Sequence, residues 1–243
     1  MKAWGVTDKG MVRQQNQDSY HADAGSQSAV LMVCDGMGGA KAGNIASGLA
    51  VDTVKSELRQ TIKPNISVKE AKHGLEMAVY RANRVITEYA GTSNEYKGMG
   101  TTFVGAVVIG KTAVVANIGD SRAYHISTGG GITRVTRDHS LVEDLLHKGN
   151  LTEGQARVHP KKNLITRALG TDFDVKADLF EVTLKKGDFL LLCSDGLTNM
   201  VDDQEILYEI IHGGDAEFCC DRLVTMANTR GGPDNITAVL FSV

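Results

Sequence analysis

Residues 101–127 read TTFVGAVVIGKTAVVANIGDSRAYHIS, three short apolar runs parted by glycine turns. β-Branched side chains such as these pack well on a pleated surface and lose rotamer freedom in a helix. Tight two-residue links favour neighbouring antiparallel strands, because a parallel crossover needs a dozen or more residues. The turns are expected at Gly110-Lys111 and Gly119-Asp120, which makes the three runs consecutive strands of one meander. Residues 28–35, 101–109, 111–118, 188–194 and 235–243 read as strands on the same grounds.

Two long helices are expected between the first strands and that meander. Residues 40–62 carry Ile45, Leu49, Val54, Leu58 and Ile62 near helical spacing. Residues 67–90 open on SVKE, a capping box in which Ser67 caps and Glu70 reaches back. Val68, Ala71, Leu75, Ala78, Ala82, Val85 and Tyr89 then form one apolar stripe, the mark of a helix packed on a sheet. Pro64 and Asn65 turn the chain between them, and 203–212 with 215–229 read as a second pair. Paired helices and runs of strands predict an α+β layered fold, sheets inside and helices outside. Residues 137–170 are polar and weakly periodic, an excursion from the sheet. With no repeat or linker, 1–243 reads as a single domain.

Lys+Arg is 26 and Asp+Glu is 29, so the net charge of −3 speaks against a nucleic-acid partner. The N-terminus has no apolar core of a signal peptide, and apolar runs of about six residues fall far short of the ~20 that span a bilayer. Cys34, Cys193, Cys219 and Cys220 form no C-x-x-C pair and read as reduced, buried thiols of a cytoplasmic protein.

The aspartates carry more. The runs VLMVCDG and FLLLCSDG both stop at Asp-Gly, at Asp35-Gly36 and Asp195-Gly196. Asp120 ends another strand, Asp234 precedes the last one, and Asp18 follows the first. Asp8, Asp172 and Asp188 read as ordinary turn residues. Strand ends at one rim can gather distant positions, and clustered carboxylates repel unless a cation sits among them. Hard divalent cations take oxygen ligands, backbone carbonyls included, so Asp35 and Gly36 could offer one of each. No histidine spacing suggests zinc; oxygen ligation points to Mg²⁺ or Mn²⁺. Neither a dinucleotide fingerprint nor a phosphate loop is present: the last position of G-x-G-x-x-G counted from Gly36 is Lys41. Arg13, five residues before Asp18, could grip a phosphate with paired hydrogen bonds. The C-x-x-x-x-x-R spacing of a cysteine phosphatase is absent, since Ala40 and Asn199 stand where the arginine would be.

RQQNQDSY, VCDGMGG, GTTF, NIGDSRAY, TRDHSLV, LCSDGLTN and GGPDNITAVL, in this order from residue 13 to 240, resemble the metal-dependent PPM (type-2C) serine/threonine protein phosphatases, and the length resembles the stand-alone bacterial members. The resemblance implies a four-layer αββα sandwich: two central antiparallel sheets flanked by paired helices, with residues 137–170 as a flap. It implies phosphoserine and phosphothreonine hydrolysis by direct attack of a hydroxide bridging two Mg²⁺ or Mn²⁺ ions. Asp35 would bridge the ions, the Gly36 carbonyl would bind one, and Asp195 and Asp234 the other. Asp18 would act through metal-bound water, and Arg13 would bind substrate phosphate. Asp120 with Asp195 matches a third metal site. Many eukaryotic members carry a histidine acid where this chain has Met37, and a thioether cannot donate a proton. Water on the third metal is then the expected acid, with His139 or His159 next. The partners implied are phosphoprotein substrates and a cognate serine/threonine kinase, for a monomer off the membrane. The rivals are a phosphatase dedicated to one signalling protein, such as an anti-sigma-factor antagonist, and a non-catalytic phosphoprotein-binding module.

Overall fold

The computed structural model describes residues 1–39, 42–157 and 159–243; Ala40, Lys41 and Val158, and with them the first two residues of the helix expected at 40–62, lie outside the described residues. The strands are β1 (Lys2–Asp8), β2 (Asp18–Ala24), β3 (Ser28–Met37), β4 (Gly100–Thr101), β5 (Phe103–Ile109), β6 (Thr112–Ile118), β7 (Arg122–Ser127), β8 (Gly131–Arg134), β9 (Asp178–Thr183), β10 (Phe189–Cys193) and β11 (Ile236–Ser242). The helices are α1 (Ala42–Thr61), α2 (Val68–Ala90), α3 (Leu141–His147), α4 (Glu153–Arg157), α5 (Asp195–Thr198), α6 (Asp203–His212) and α7 (Cys219–Thr229). The capping box at Ser67 and Glu70 is formed.

One antiparallel sheet runs β1-β11-β10-β7-β8 and the other β2-β3-β5-β6-β9, with β4 on the end of β3. Side chains alternate along each strand, so one run of apolar residues serves two layers. In β3, Leu31 and Val33 pack between the sheets with Val104, Ala106, Leu190, Leu192 and Phe241. Met32 and Cys34 point the other way, against Ala46, Ala50 and Val54 of α1 and Leu75 of α2. In β10, Leu190 and Leu192 face the sheet that contains β3, while Leu191 and Cys193 meet Ile206 of α6 and Leu223 of α7. The result is an αββα sandwich with three apolar interfaces, and both sheets are covered on both faces. That is why their strands read as nearly continuous apolar runs.

The meander differs from expectation. Gly110-Lys111 does close a β5–β6 hairpin, with Gly110 at φ +57°. β7, however, pairs with β10 and β8 in the other sheet. Gly119, at φ +102°, is a corner where the chain changes sheets, and a Cβ there would lie 2.7 Å from the Thr102 side chain. A Gly-Asp pair suits a hairpin and a corner equally, so local chemistry did not separate them. The expected strand 101–109 is broken at Thr102 into β4 and β5, and the expected helix 215–229 opens as a short 3₁₀ turn at Ala216–Phe218. All four cysteines are buried and free. Among the described residues no helix is long and apolar enough to cross a membrane.

Candidate active site

The predicted aspartates meet at one end of the sandwich. Asp18 opens β2 and stands directly opposite Asp35 of β3 in the strand register. Asp120 sits on the sheet-changing corner, Asp195 opens α5 just after β10, and Asp234 lies two residues before β11. β3 does not end at Asp35 as expected: Gly36 and Met37 pair onward with Thr101 and Gly100. Arg13, Asp35, Gly36, Met37, Asp120, Asp195 and Asp234 line one cleft of about 270 Å³. Asp18 is not in its wall but beneath it, 8% exposed.

The two Asp-Gly pairs have a packing cause. A Cβ on Gly36 would lie 2.1 Å from the Gly43 carbonyl and 2.6 Å from that of Gln17. A Cβ on Gly196 would lie 1.9 Å from the Asn235 carbonyl. Gln17 precedes Asp18 and Asn235 follows Asp234. The bare backbone therefore lets the segment carrying Asp35 close on that carrying Asp18, and the segment carrying Asp195 close on that carrying Asp234. Close chain packing thus requires glycine at both positions.

Hydroxyls and one cation brace this rim. The Asp35 N–H donates to Thr102 Oγ1 (2.9 Å), which shares a 2.7 Å bond with Ser121 Oγ. Asp195 Oδ2 accepts from Asn199 Nδ2 at 3.0 Å, and Arg13 Nη2 donates to Asp234 Oδ2 at 2.7 Å. Buried oxygens Asp18 Oδ1 and Asp195 Oδ1 have no partner. Burial, reinforced by the charge of neighbouring aspartates, pushes Asp195 up to about 6, Asp18 to about 7 and Asp120 to about 8. Burial and the same repulsion raise Asp35 well above the ordinary carboxylate range.

Like charges directly opposed across two strands destabilise a sheet. Oxygen-only donors, two orphaned buried oxygens and unrelieved repulsion fit hard divalent cations. Among the described residues no three Asp, Glu, His or Cys side chains converge on a preformed metal cage.

The other candidates sort differently. His139 is buried, does not line the cleft, and has both nitrogens committed: Gly119 N–H donates to Nδ1 (3.1 Å), and Nε2 lies 3.2 Å from Asp178 Oδ2. Burial lowers its pKa despite Asp178, so it is a brace for the Gly119 corner and a poor proton donor. His159, Lys161 and Lys162 flank a neighbouring hollow that meets the cleft at Asn163. The side chain of Arg157 lies outside the described residues. Reasoning from sequence missed Gln17, Thr102, Ser121, Asn163, Ile165, Ser194 and Thr237. Several sit inside the motifs already quoted, beside the aspartates, where a small hydroxyl residue carried no separate signal.

The family model described as Protein phosphatase 2C matches residues 11–235. Serine/threonine phosphatase stp of Listeria innocua is 37% identical over 235 residues, 96% of this chain and 92% of that protein. The crystal structure of Staphylococcus aureus serine/threonine phosphatase Stp1 superposes with a TM-score of 0.92 at 39% identity, covering 100% of this chain and 95% of that one. The catalytic domain of serine threonine protein phosphatase PstP, in complex with 2 manganese ions, superposes at 0.85 with 32% identity over 98% and 96% of the two chains. The chain belongs to the protein phosphatase 2C family, whose members are metal-dependent enzymes.

Proposed function

We propose that this chain removes phosphate from phosphoserine and phosphothreonine in proteins, with two Mn²⁺ or Mg²⁺ ions at the carboxylate rim. The observation that carries this reading is the opposed pair Asp18 and Asp35, joined at one rim by Asp120, Asp195 and Asp234 with a single arginine among them. Asp35, the Gly36 carbonyl, Asp195 and Asp234 would hold the two ions; Asp18 would support them from beneath, and Asp120 with Asp195 would hold a third. When bound, such ions acidify water into a nucleophile and neutralise phosphoryl charge. Arg13, half-exposed at the cleft, would orient the phosphate by charge-assisted hydrogen bonds. Met37 lines the cleft but has no proton to give. Burial pushes the Cys34 thiol far above its ordinary range and Cys193 up to about 12, so both are protonated and unsuited to a covalent phosphoenzyme. The rest of the reading is a cytoplasmic monomer of one domain that shares its substrates with a serine/threonine kinase. The test is phosphate release from matched phosphoserine, phosphothreonine and phosphotyrosine peptides with Mn²⁺ present. Cleavage of the first two is expected; cleavage of phosphotyrosine alone, or of none, would overturn the assignment.

A further inference from the structure

The fold treats the two oxygens of Asp18 differently. Oδ2 accepts from Ser194 Oγ at 2.8 Å and from Thr237 Oγ1 at 2.6 Å. Oδ1 is buried and has no partner. Ser194 and Thr237 are fully buried and belong to the β10–β11 side of the molecule, whereas Asp18 opens β2 of the other sheet.

The proton count makes the arrangement directional. Ser194 Oγ accepts from the Thr237 N–H at 2.9 Å, so its own proton is free for Asp18. Thr7 Oγ1 accepts from Asn16 Nδ2 at 2.9 Å, so its proton can pass to Thr237 Oγ1, 2.7 Å away. The Thr237 proton is then also free for Asp18. Every donor points toward Oδ2, and an oxygen that takes two hydroxyl protons is a bare carboxylate oxygen. It is an anchor between the sheets, and Oδ1 is the one oxygen Asp18 has left to offer.

We propose that Ser194 and Thr237 are positioning residues that anchor Asp18 through Oδ2 and hold Oδ1 for the divalent cations of the rim. This rests on the rim being a metal centre, as proposed above. Neither residue touches the cleft; each acts through Asp18.

The experiment is calorimetric titration of Mn²⁺ into the full chain for wild type, Thr237→Val, Thr237→Ser, Ser194→Ala and Thr7→Val, with melting temperatures and kcat and KM on a phosphoserine peptide. Thr237→Val keeps the branched shape of the strand residue and removes the donor. It should weaken Mn²⁺ binding about tenfold and lower kcat in step with little change in KM, as expected when a charge-assisted hydrogen bond is lost. Ser194→Ala should do the same from outside the strands, which keeps the test alive should Thr237→Val not fold. Thr237→Ser should restore binding to within about threefold of wild type. Thr7 is the cross-strand partner of Thr237 and serves as the packing control: Thr7→Val should bind Mn²⁺ within about threefold of wild type. Wild-type Mn²⁺ affinity in both Thr237→Val and Ser194→Ala, or an equal loss in Thr7→Val, would overturn the positioning role alone. No Mn²⁺ binding by wild type would overturn the metal centre and this inference with it.

Discussion

Two acidic regions of this molecule obey opposite rules. At the root of the 137–170 segment each carboxylate has its cation. Asp138 takes Arg122 at 2.7 Å, Glu143 takes Arg134 at 2.8 Å, Asp144 lies 3.6 Å from Arg137, and Asp178 takes Arg167 at 2.8 Å and His139 at 3.2 Å. Against burial that would raise it, Arg167 and His139 hold the Asp178 carboxyl below its ordinary value. At the rim, among the described residues, the five aspartates make one ion pair, Arg13 with Asp234; Arg122 acts on Asp120 and Asp195 only through space, and the values that shift all shift upward. The first region is neutralised from within and fastens the segment to the sandwich. The second is left unneutralised, which costs stability and suits it to a cation from outside.

The sharpest contrast is one substitution in each region. Asp35→Asn should lower kcat about a thousandfold or more, because an amide cannot replace the opposed charge that the cations need. In EDTA the same change should raise the melting temperature, since it removes repulsion. Asp138→Asn should do the reverse, lowering the melting temperature by several degrees through a broken buried ion pair while sparing hydrolysis of a small aryl phosphate. If Asp35→Asn kept kcat within about threefold of wild type, the metal role of this carboxylate would be wrong.

Arg13→Ala should come next in size, raising KM about tenfold with a smaller change in kcat, because it removes a phosphate contact made before the transition state. An unchanged KM with a collapsed kcat would give Arg13 another role. The pH response then separates the regions without mutation. Asp195, Asp18 and Asp120 titrate at about 6, 7 and 8 when folded, above the 3.8 of a free aspartate. The folded chain thus binds more protons than the unfolded one across that window, so stability in EDTA should fall as pH rises from 5 to about 8. Saturating Mn²⁺ should flatten the curve; a flat curve in EDTA would show that the rim carries no strain. The smallest effect is expected from Lys161→Ala with Lys162→Ala, which should shift phosphopeptide preference a few-fold and leave an aryl phosphate unchanged. Equal loss on both substrates would mean the loop is needed for folding.

The layers were readable from the chain because their signals are local: the continuous apolar runs at 28–35 and 188–194 announce strands buried on both faces, and the stripe at 67–90 announces a helix packed on a sheet. The aspartates were readable because Asp-Gly after an apolar run is a rare pairing. The corner at Gly119 was not, since which sheet receives β7 depends on partners far along the chain, Cys193 and Phe189 among them. The place of His139 in the fold was hidden for a related reason. A histidine in a polar segment looks available until the fold places a backbone N–H on one nitrogen and Asp178 on the other. Ser194 and Thr237 were hidden because their partner, Asp18, lies 176 and 219 residues away in sequence.

The claim that the rim is unneutralised in order to bind metal is tested most directly by counting ions and turnover together. Wild type stripped with EDTA and desalted is titrated with Mn²⁺ in a calorimeter, and phosphoserine-peptide hydrolysis is followed at each addition. At least two ions should bind per chain, with turnover absent before the first addition and rising as they bind. Full turnover in the stripped protein, or Mn²⁺ binding that leaves turnover unchanged, would contradict it.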